Sequence, residues 1–129
     1  MEKLSIFEKI ARGEMPCHRV YEDDKTLAFL DIHPQSRLGH VLVIPKRAMG
    51  DKIYKERDEA YDALMRTVKK LAAHMDSVLG VRIMYFAAGE QVPWPHVHLL
   101  PYDPEWHPRR TFQLSDDEMR EIVEKLRLD

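Results

Sequence analysis

Cysteine is nearly absent: Cys17 is the one thiol in 129 residues. No internal disulfide can form, and no paired-cysteine zinc ribbon can be built. Cys17 therefore reads as a small buried hydrophobe. Long apolar runs are also missing. None approaches the roughly 20 residues that a membrane-spanning helix needs, and residues 1–10 are interrupted by Glu2, Lys3, Glu8 and Lys9, which disfavours a signal peptide. A cytoplasmic location is the expectation. There is no lysine- or arginine-rich run, and the formal net charge is −2. Nucleic-acid binding driven by charge alone is thus disfavoured, while a small positive pocket for a small anion is not. No internal repeat, low-complexity stretch or linker interrupts the chain.

What is present is an ordinary globular balance of 44% hydrophobic and 33% charged residues. A chain of this length suits one domain over residues 1–129, burying roughly two thirds of the surface of its unfolded state. Ile6, Phe7 and Ile10 fall at helical spacing ahead of Gly13. Residues 19–22 and 26–31 read as two strands joined by a polar turn, Glu22-Asp23-Asp24-Lys25. The run 26–31 is almost continuously apolar, so its faces cannot be assigned by period. A loop over 34–39 leads into a β-branched strand, 40–45. Residues 58–79 make the clearest helix, with Tyr61, Leu64, Val68, Leu71, Met75 and Val78 on one stripe and Gly80 just past the end. Strands follow at 81–87 and 96–101. A final helix spans 115–128, with Ser115 and Glu118 as a capping box and Met119, Ile122, Val123 and Leu126 as its apolar face. This order predicts an α+β fold, an antiparallel sheet of about five strands with helices on one side.

His96 and His98 carry the sharpest chemical signal among the seven histidines. Residues two apart on a strand share a face, roughly 6–7 Å apart. Trp94, His96, His98 and Leu100 then lie on one face while Val97 and Leu99 enter the core. Pro93 and Pro95 lack N–H groups, so the approach to His96 cannot be fully paired. Histidine titrates near pH 6.5. One ring can act as a neutral nucleophile toward phosphorus while its neighbour is cationic or shares a proton and holds a phosphate oxygen. The same alternation also suits two surface histidines, or a zinc site completed by a third ligand.

The wider context carries a resemblance. Ile6-Phe7-Glu8-Lys9-Ile10, Met15-Pro16-Cys17 and Val20-Tyr21-Glu22-Asp23-Asp24 are followed by Leu30-Asp31-Ile32-His33-Pro34 and Gly39-His40-Val41-Leu42-Val43-Ile44-Pro45-Lys46. Gly89-x-x-Val92, His96-x-His98-x-Leu100-Pro101 and the helix after Leu114-Ser115 complete the set. In this order and spacing, over nearly the whole chain, they resemble the histidine-triad (HIT) family of nucleotide hydrolases and transferases. The resemblance implies a HIT-like fold with a long helix and a C-terminal helix, and a homodimer. It implies attack on the α-phosphorus of a nucleoside phosphoramidate or dinucleoside polyphosphate through a nucleotidyl-histidine intermediate, with no cofactor. The family's three alternate histidines match Trp94, His96 and His98 when Gly89 and Pro101 are used as anchors. His96 then inherits the role of nucleophile, and His98 and His40 inherit phosphate contacts. Asp31 matches the residue that binds the ribose hydroxyls. Ile6, Phe7, Ile10, Phe29 and Ile32 match positions around the base of a purine nucleotide or nucleotide conjugate, and Gln91 and Trp94 fall on the phosphate side.

The chain departs from the family at informative places. Trp94 replaces the first histidine, and its indole is a donor only. Glu90 and Gln91 stand where family members carry Gln and Ser or Thr, and an anionic Glu90 would repel phosphate. Relatives that hold zinc through Cys-x-x-Cys have it where this chain has Ser5 and Glu8. Arg109 and Arg110 lie in a tail that the family places near the partner's site, with a solvated basic loop as the alternative. Two rival readings remain: a nucleotide-binding protein without turnover, and a zinc-dependent hydrolase using His96, His98 and either His40 or His107.

Overall fold

The computed structural model describes residues 6–87 and 92–129. The element order is α1 (Ile6–Ala11), β1 (Arg19–Glu22), β2 (Thr26–Leu30), β3 (Val41–Pro45), a 3₁₀ turn, α2 (Asp58–Leu79), β4 (Ile83–Phe86), β5 (Val97–Pro101) and α3 (Asp116–Leu126). The strands form one antiparallel sheet in the order β1-β2-β3-β5-β4. The fold class is the α+β arrangement anticipated from the sequence.

Local chemistry explains the boundaries. Asp23 turns the first hairpin, its Oδ1 accepting from the backbone N–H of Lys25 at 2.9 Å and of Thr26 at 2.7 Å. Gly80 ends α2 in the left-handed region at φ 69° and donates its N–H to the Asp76 carbonyl, a conformation that costs glycine little. Both bonds of the Ser115–Glu118 capping box are present, at 3.1 and 2.9 Å.

The sheet is covered on both faces, not on one as the sequence suggested. On one face Ala28, Leu30, Val41, Val43, Val97 and Leu99 meet Leu64, Val68, Leu71 and Met75 of α2 and Met119, Ile122 and Leu126 of α3. On the other, Leu27, Phe29, Leu42 and Ile44 meet Phe7 and Ile10 of α1 together with Trp94. Two-sided burial is why β2 and β3 read as unbroken apolar runs. The α2 stripe is narrower than its period implied, since Tyr61 and Val78 at its ends are exposed while Thr67 is buried, bonded to Thr26 at 2.8 Å.

Gly39 sets how closely α3 approaches the start of β3. Its φ is 121°, and a Cβ there would lie 2.9 Å from Ile122 Cγ2 and 3.3 Å from Leu126 Cδ1. Gly39→Ala should lower the unfolding free energy by about 1–3 kcal/mol through overpacking and backbone strain. Urea unfolding monitored by circular dichroism checks this.

Candidate active site

The site lies where the start of β3 meets β5. Register places Leu42 beside His98 on one side and Phe86 beside it on the other. His40 is the residue just before β3, 1% exposed, and its backbone carbonyl still accepts from the Asp31 N–H at 2.7 Å. Its Nε2 lies 2.8 Å from His98 Nδ1. The Phe86 ring stacks on His98 at 4.8 Å between centroids and 14° between planes. His96 sits one residue before β5, 6% exposed. Its Nδ1 is 2.6 Å from the Trp94 carbonyl, and Phe7 meets it edge-on at 5.0 Å.

The hydrogen bonds fix the tautomers. The Gln35 backbone N–H donates to His40 Nδ1 at 3.2 Å, so that nitrogen carries a lone pair. The proton of neutral His40 then sits on Nε2 and is donated to His98 Nδ1. His98 in turn carries its proton on Nε2. The Trp94 carbonyl can only accept, so His96 carries its proton on Nδ1 and presents Nε2 as a bare lone pair. One ring thus offers a nucleophilic nitrogen while its neighbour offers an N–H.

Burial drives all three rings toward neutrality. His40 is pushed down to about 3, first by desolvation and then by the neighbouring His98 and His96. His98 is pushed down to about 4 by desolvation and His96. His96 is lowered by desolvation, with the Trp94 carbonyl and the Asp31 charge pulling the other way. Of the two states the sequence allowed for the neighbouring ring, cationic or sharing a proton, the His40–His98 bond fits the second. In the free site no imidazole is charged at neutral pH, and His98 shares a hydrogen bond with His40 instead.

Asp31 follows β2. Its Oδ1 accepts from the His33 backbone N–H at 2.8 Å, and its Oδ2 lies 3.8 Å from His40 Nδ1. Desolvation raises its pKa, against the His33 N–H and the nearby His96. Phe7, Ile10 and Phe29 are buried in the cluster around α1, whereas Ile6 and Ile32 are exposed, Ile32 by 59%. Trp94 belongs to the same buried cluster, and its indole N–H donates to the Pro45 carbonyl at 3.0 Å. Gln91, with Gly89 and Glu90, lies outside the described residues. Arg110 pairs with Glu105 at 3.5 Å and sits over Phe112.

Two contributors escaped the sequence reading. Gln35 acts through its backbone, which leaves no side-chain signal, and its side chain accepts from the Trp106 indole at 3.3 Å. Phe86 becomes visible only once β4 is paired with β5.

Of the residues in the zinc sets weighed from the sequence, His96 and His107 are not among the grouped ligand atoms of the described residues. His107 Nδ1 accepts from the Arg109 N–H and His96 Nδ1 is bonded to the Trp94 carbonyl, which leaves each ring its Nε2. Among the described residues, Asp31, His40 and His98 do bring one ligand atom each within 4.8 Å of one another. A cation there would have to displace the His40–His98 bond or the Gln35–His40 bond. Glu8, at the second position of the relatives' Cys-x-x-Cys, pairs with Arg12 at 2.8 Å.

The chain matches the HIT domain model over residues 12–105. It is 39% identical to a HIT-like protein of Synechococcus elongatus, over 78% of this chain and 91% of that one. It is 31% identical to a HIT-like protein of Methanocaldococcus jannaschii over 96% and 99% of the two chains. Its structure superposes with a TM-score of 0.84 on a HIT-like protein from Bartonella henselae described as involved in cell-cycle regulation, at 29% identity and covering 95% and 93% of the chains. A zinc-bound histidine triad family protein from Mycobacterium smegmatis gives 0.77 at 26% identity, covering 95% and 89%. The chain belongs to the histidine triad family. No helix among the described residues is long and apolar enough to cross a membrane.

The depressed histidines make stability fall on acidification. The unfolded chain binds protons below about pH 6.5, whereas His40 and His98 stay neutral in the fold down to about 3 and about 4. The unfolded state then holds more protons, so unfolding free energy drops as pH falls from about 6.5 toward about 4. The limiting slope is about 1.4 kcal/mol per pH unit for each proton. Urea midpoints should decline between about pH 7 and pH 5, and less steeply in His40→Asn/His98→Asn. Equal slopes in both proteins would contradict the assignment.

Proposed function

We propose that this chain is a nucleotide hydrolase or nucleotidyl transferase, a single HIT-like domain over residues 1–129 that acts as a cytoplasmic homodimer. The observation that carries the reading is the His96 ring, whose Nδ1 is held by the Trp94 carbonyl so that Nε2 keeps its lone pair, in a chain of this family. Nε2 attacks the α-phosphorus of a nucleoside phosphoramidate or dinucleoside polyphosphate. A P–Nε2 bond forms, and the bond to the leaving nitrogen or oxygen breaks with its electron pair. Water, or another acceptor, then attacks phosphorus, releases the nucleotide and restores His96. The His98 Nε2–H donates to a non-bridging oxygen, and His40 keeps His98 in that tautomer.

A purine base would lie along the edge formed by Ile6, Phe7, Ile10, Phe29 and Ile32. The two exposed members of this group, Ile6 and Ile32, offer apolar surface beside the buried aromatics. Asp31 Oδ2, left over after Oδ1 has bonded to His33, would accept from the ribose hydroxyls. The resemblance assigns Gln91 and Trp94 to the phosphate side of the nucleotide. A nucleotide-binding protein without turnover is the second reading. It is favoured by Trp94, which puts a buried indole, already bonded to Pro45, where the family's first histidine stands.

Adenosine phosphoramidate should be hydrolysed by the wild-type protein and at least about a thousand-fold more slowly by His96→Ala. His98→Ala should cost about a hundred- to a thousand-fold, the loss typical of one oxyanion donor. Mass spectrometry of acid-free quenched reactions should show the nucleotidyl adduct on His96. Calorimetric binding of the nucleotide with no adduct and no product would establish the second reading instead.

The homodimer is supported by β4, an edge strand whose Tyr85 is 58% exposed. An unpaired edge of this kind invites pairing with a second copy. Sedimentation should return twice the 15.2 kDa chain mass, and Tyr85→Lys should shift the population toward monomer.

A further inference from the structure

We infer that Trp94 is a positioning residue for His96: its indole N–H does the work of a missing ladder hydrogen bond and thereby fixes the carbonyl that orients the nucleophile. The inference rests on reading His96 as the nucleophile and concerns a residue that replaces a family histidine.

The argument begins with β3. The backbone groups of His40 and Lys46 bond toward β2, since the Asp31 N–H donates to the His40 carbonyl and the Lys46 N–H to the Lys25 carbonyl. In an antiparallel sheet the hydrogen-bonding direction alternates along a strand. Val41, Val43 and Pro45 therefore present their carbonyls toward β5. The β3–β5 ladder pairs Val41 with Leu99 and Val43 with Val97 and then stops. Continued by two residues, the register would place Pro45 opposite Pro95. Proline has no N–H to give, so the Pro45 carbonyl cannot be satisfied by the backbone of the incoming strand. A buried carbonyl left without a donor costs about 1–3 kcal/mol. The Trp94 indole N–H meets it at 3.0 Å in a buried setting.

The same residue holds His96 from the other side. The Trp94 carbonyl accepts from His96 Nδ1 at 2.6 Å, and the Trp94 N–H donates to the Val92 carbonyl at 2.8 Å. Pro93 and Pro95 flank it and fix their own φ angles near −65°. The indole is packed among Phe7, Ile10, Leu27, Phe29, Leu42 and Ile44. Side chain, N–H and carbonyl are thus all engaged, and the stretch that leads into β5 is pinned where the ladder itself cannot reach. Histidine at this position would bring a shorter side chain that both donates and accepts. Phenylalanine would keep most of the packing and lose the donor.

The test removes the N–H in two ways. One variant is Trp94→Phe; the other places a benzothienylalanine isostere at position 94, which keeps the indole's shape and replaces N–H by sulfur, so the answer does not hinge on whether Trp94→Phe folds. Both should lower kcat on adenosine phosphoramidate about ten-fold or more, as expected when a reacting group is displaced by a fraction of an ångström, with KM changed less than about two-fold. Adding Pro95→Ala to Trp94→Phe restores a backbone N–H opposite the Pro45 carbonyl and should recover most of the lost kcat. Independently of turnover, the ¹⁵N shifts of the His96 imidazole should show a single Nδ1–H tautomer in the wild type and a mixture in either variant.

Unchanged kcat and unchanged imidazole shifts in the isostere would overturn the inference. So would a parallel loss of kcat and KM that Pro95→Ala does not relieve, because that pattern marks packing alone. If the wild-type protein shows no turnover at all, the proposed reaction fails, and the imidazole spectrum by itself decides the role of Trp94.

Discussion

The antiparallel pairing of β3 with β5 is the constraint on which the site depends, because it is both short and interrupted. It joins only Val41 to Val43 with Val97 to Leu99. Within those three pairs it buries Val41, Val43, Val97 and Leu99 against α2 and α3 and turns Leu42 and His98 to the opposite face. At one end it leaves His40 close enough to bond to His98. At the other it stops before Pro95, where the Trp94 indole rather than a backbone N–H meets the Pro45 carbonyl and the Trp94 carbonyl meets His96 Nδ1.

Burial then decides the charge state. Three imidazoles with ring centroids about 5 Å apart, from His40 to His98 and from His98 to His96, cannot hold several protons in a poorly solvated space. The result is a neutral array in which each ring's tautomer is dictated by a backbone group: the Gln35 N–H at one end and the Trp94 carbonyl at the other. Orientation that would otherwise require a cation or a metal is supplied by fixed peptide dipoles. The loop that carries Gln35 is itself held, since the Phe112 N–H donates to the Pro34 carbonyl and the Trp106 indole to the Gln35 side chain.

Much of this was legible in the sequence where a single element carried the signal. The 22-residue helix begins and ends at the residues its stripe and Gly80 indicated. The capping box named α3, and alternation put Val97 and Leu99 in the core. The prolines correctly marked the entry to His96 as unpaired. What was not legible depends on relations between distant segments. The two-sided burial of β2 and β3 hides any alternation, so the placement of α1 on the opposite face from α2 and α3 could not be read from period. The neutrality of the histidines follows from the burial of His40 and the approach of His98, 58 positions away, and no local pattern encodes that. Phe86 and Gln35 act through register and backbone, respectively.

The residual positive pull on His96 has a functional meaning. Desolvation lowers its proton affinity, as it does for His40 and His98, but only His96 has groups working in the opposite sense: the Trp94 carbonyl bonded to Nδ1–H and the Asp31 carboxylate. A ring whose Nε2 has bonded to phosphorus carries the same positive charge as one whose Nε2 has bonded to a proton. In the proposed reaction, whatever raises the proton affinity of Nε2 would therefore also stabilise the nucleotidyl intermediate, and whatever lowers it would weaken the nucleophile while easing release. Burial and the Trp94–Asp31 pair set these tendencies against each other. At neutral pH Nε2 remains free of a proton, and in the proposed reaction the charge acquired on attack would be met by groups already in place. His40 and His98 lack such compensation, and their remaining role is to donate.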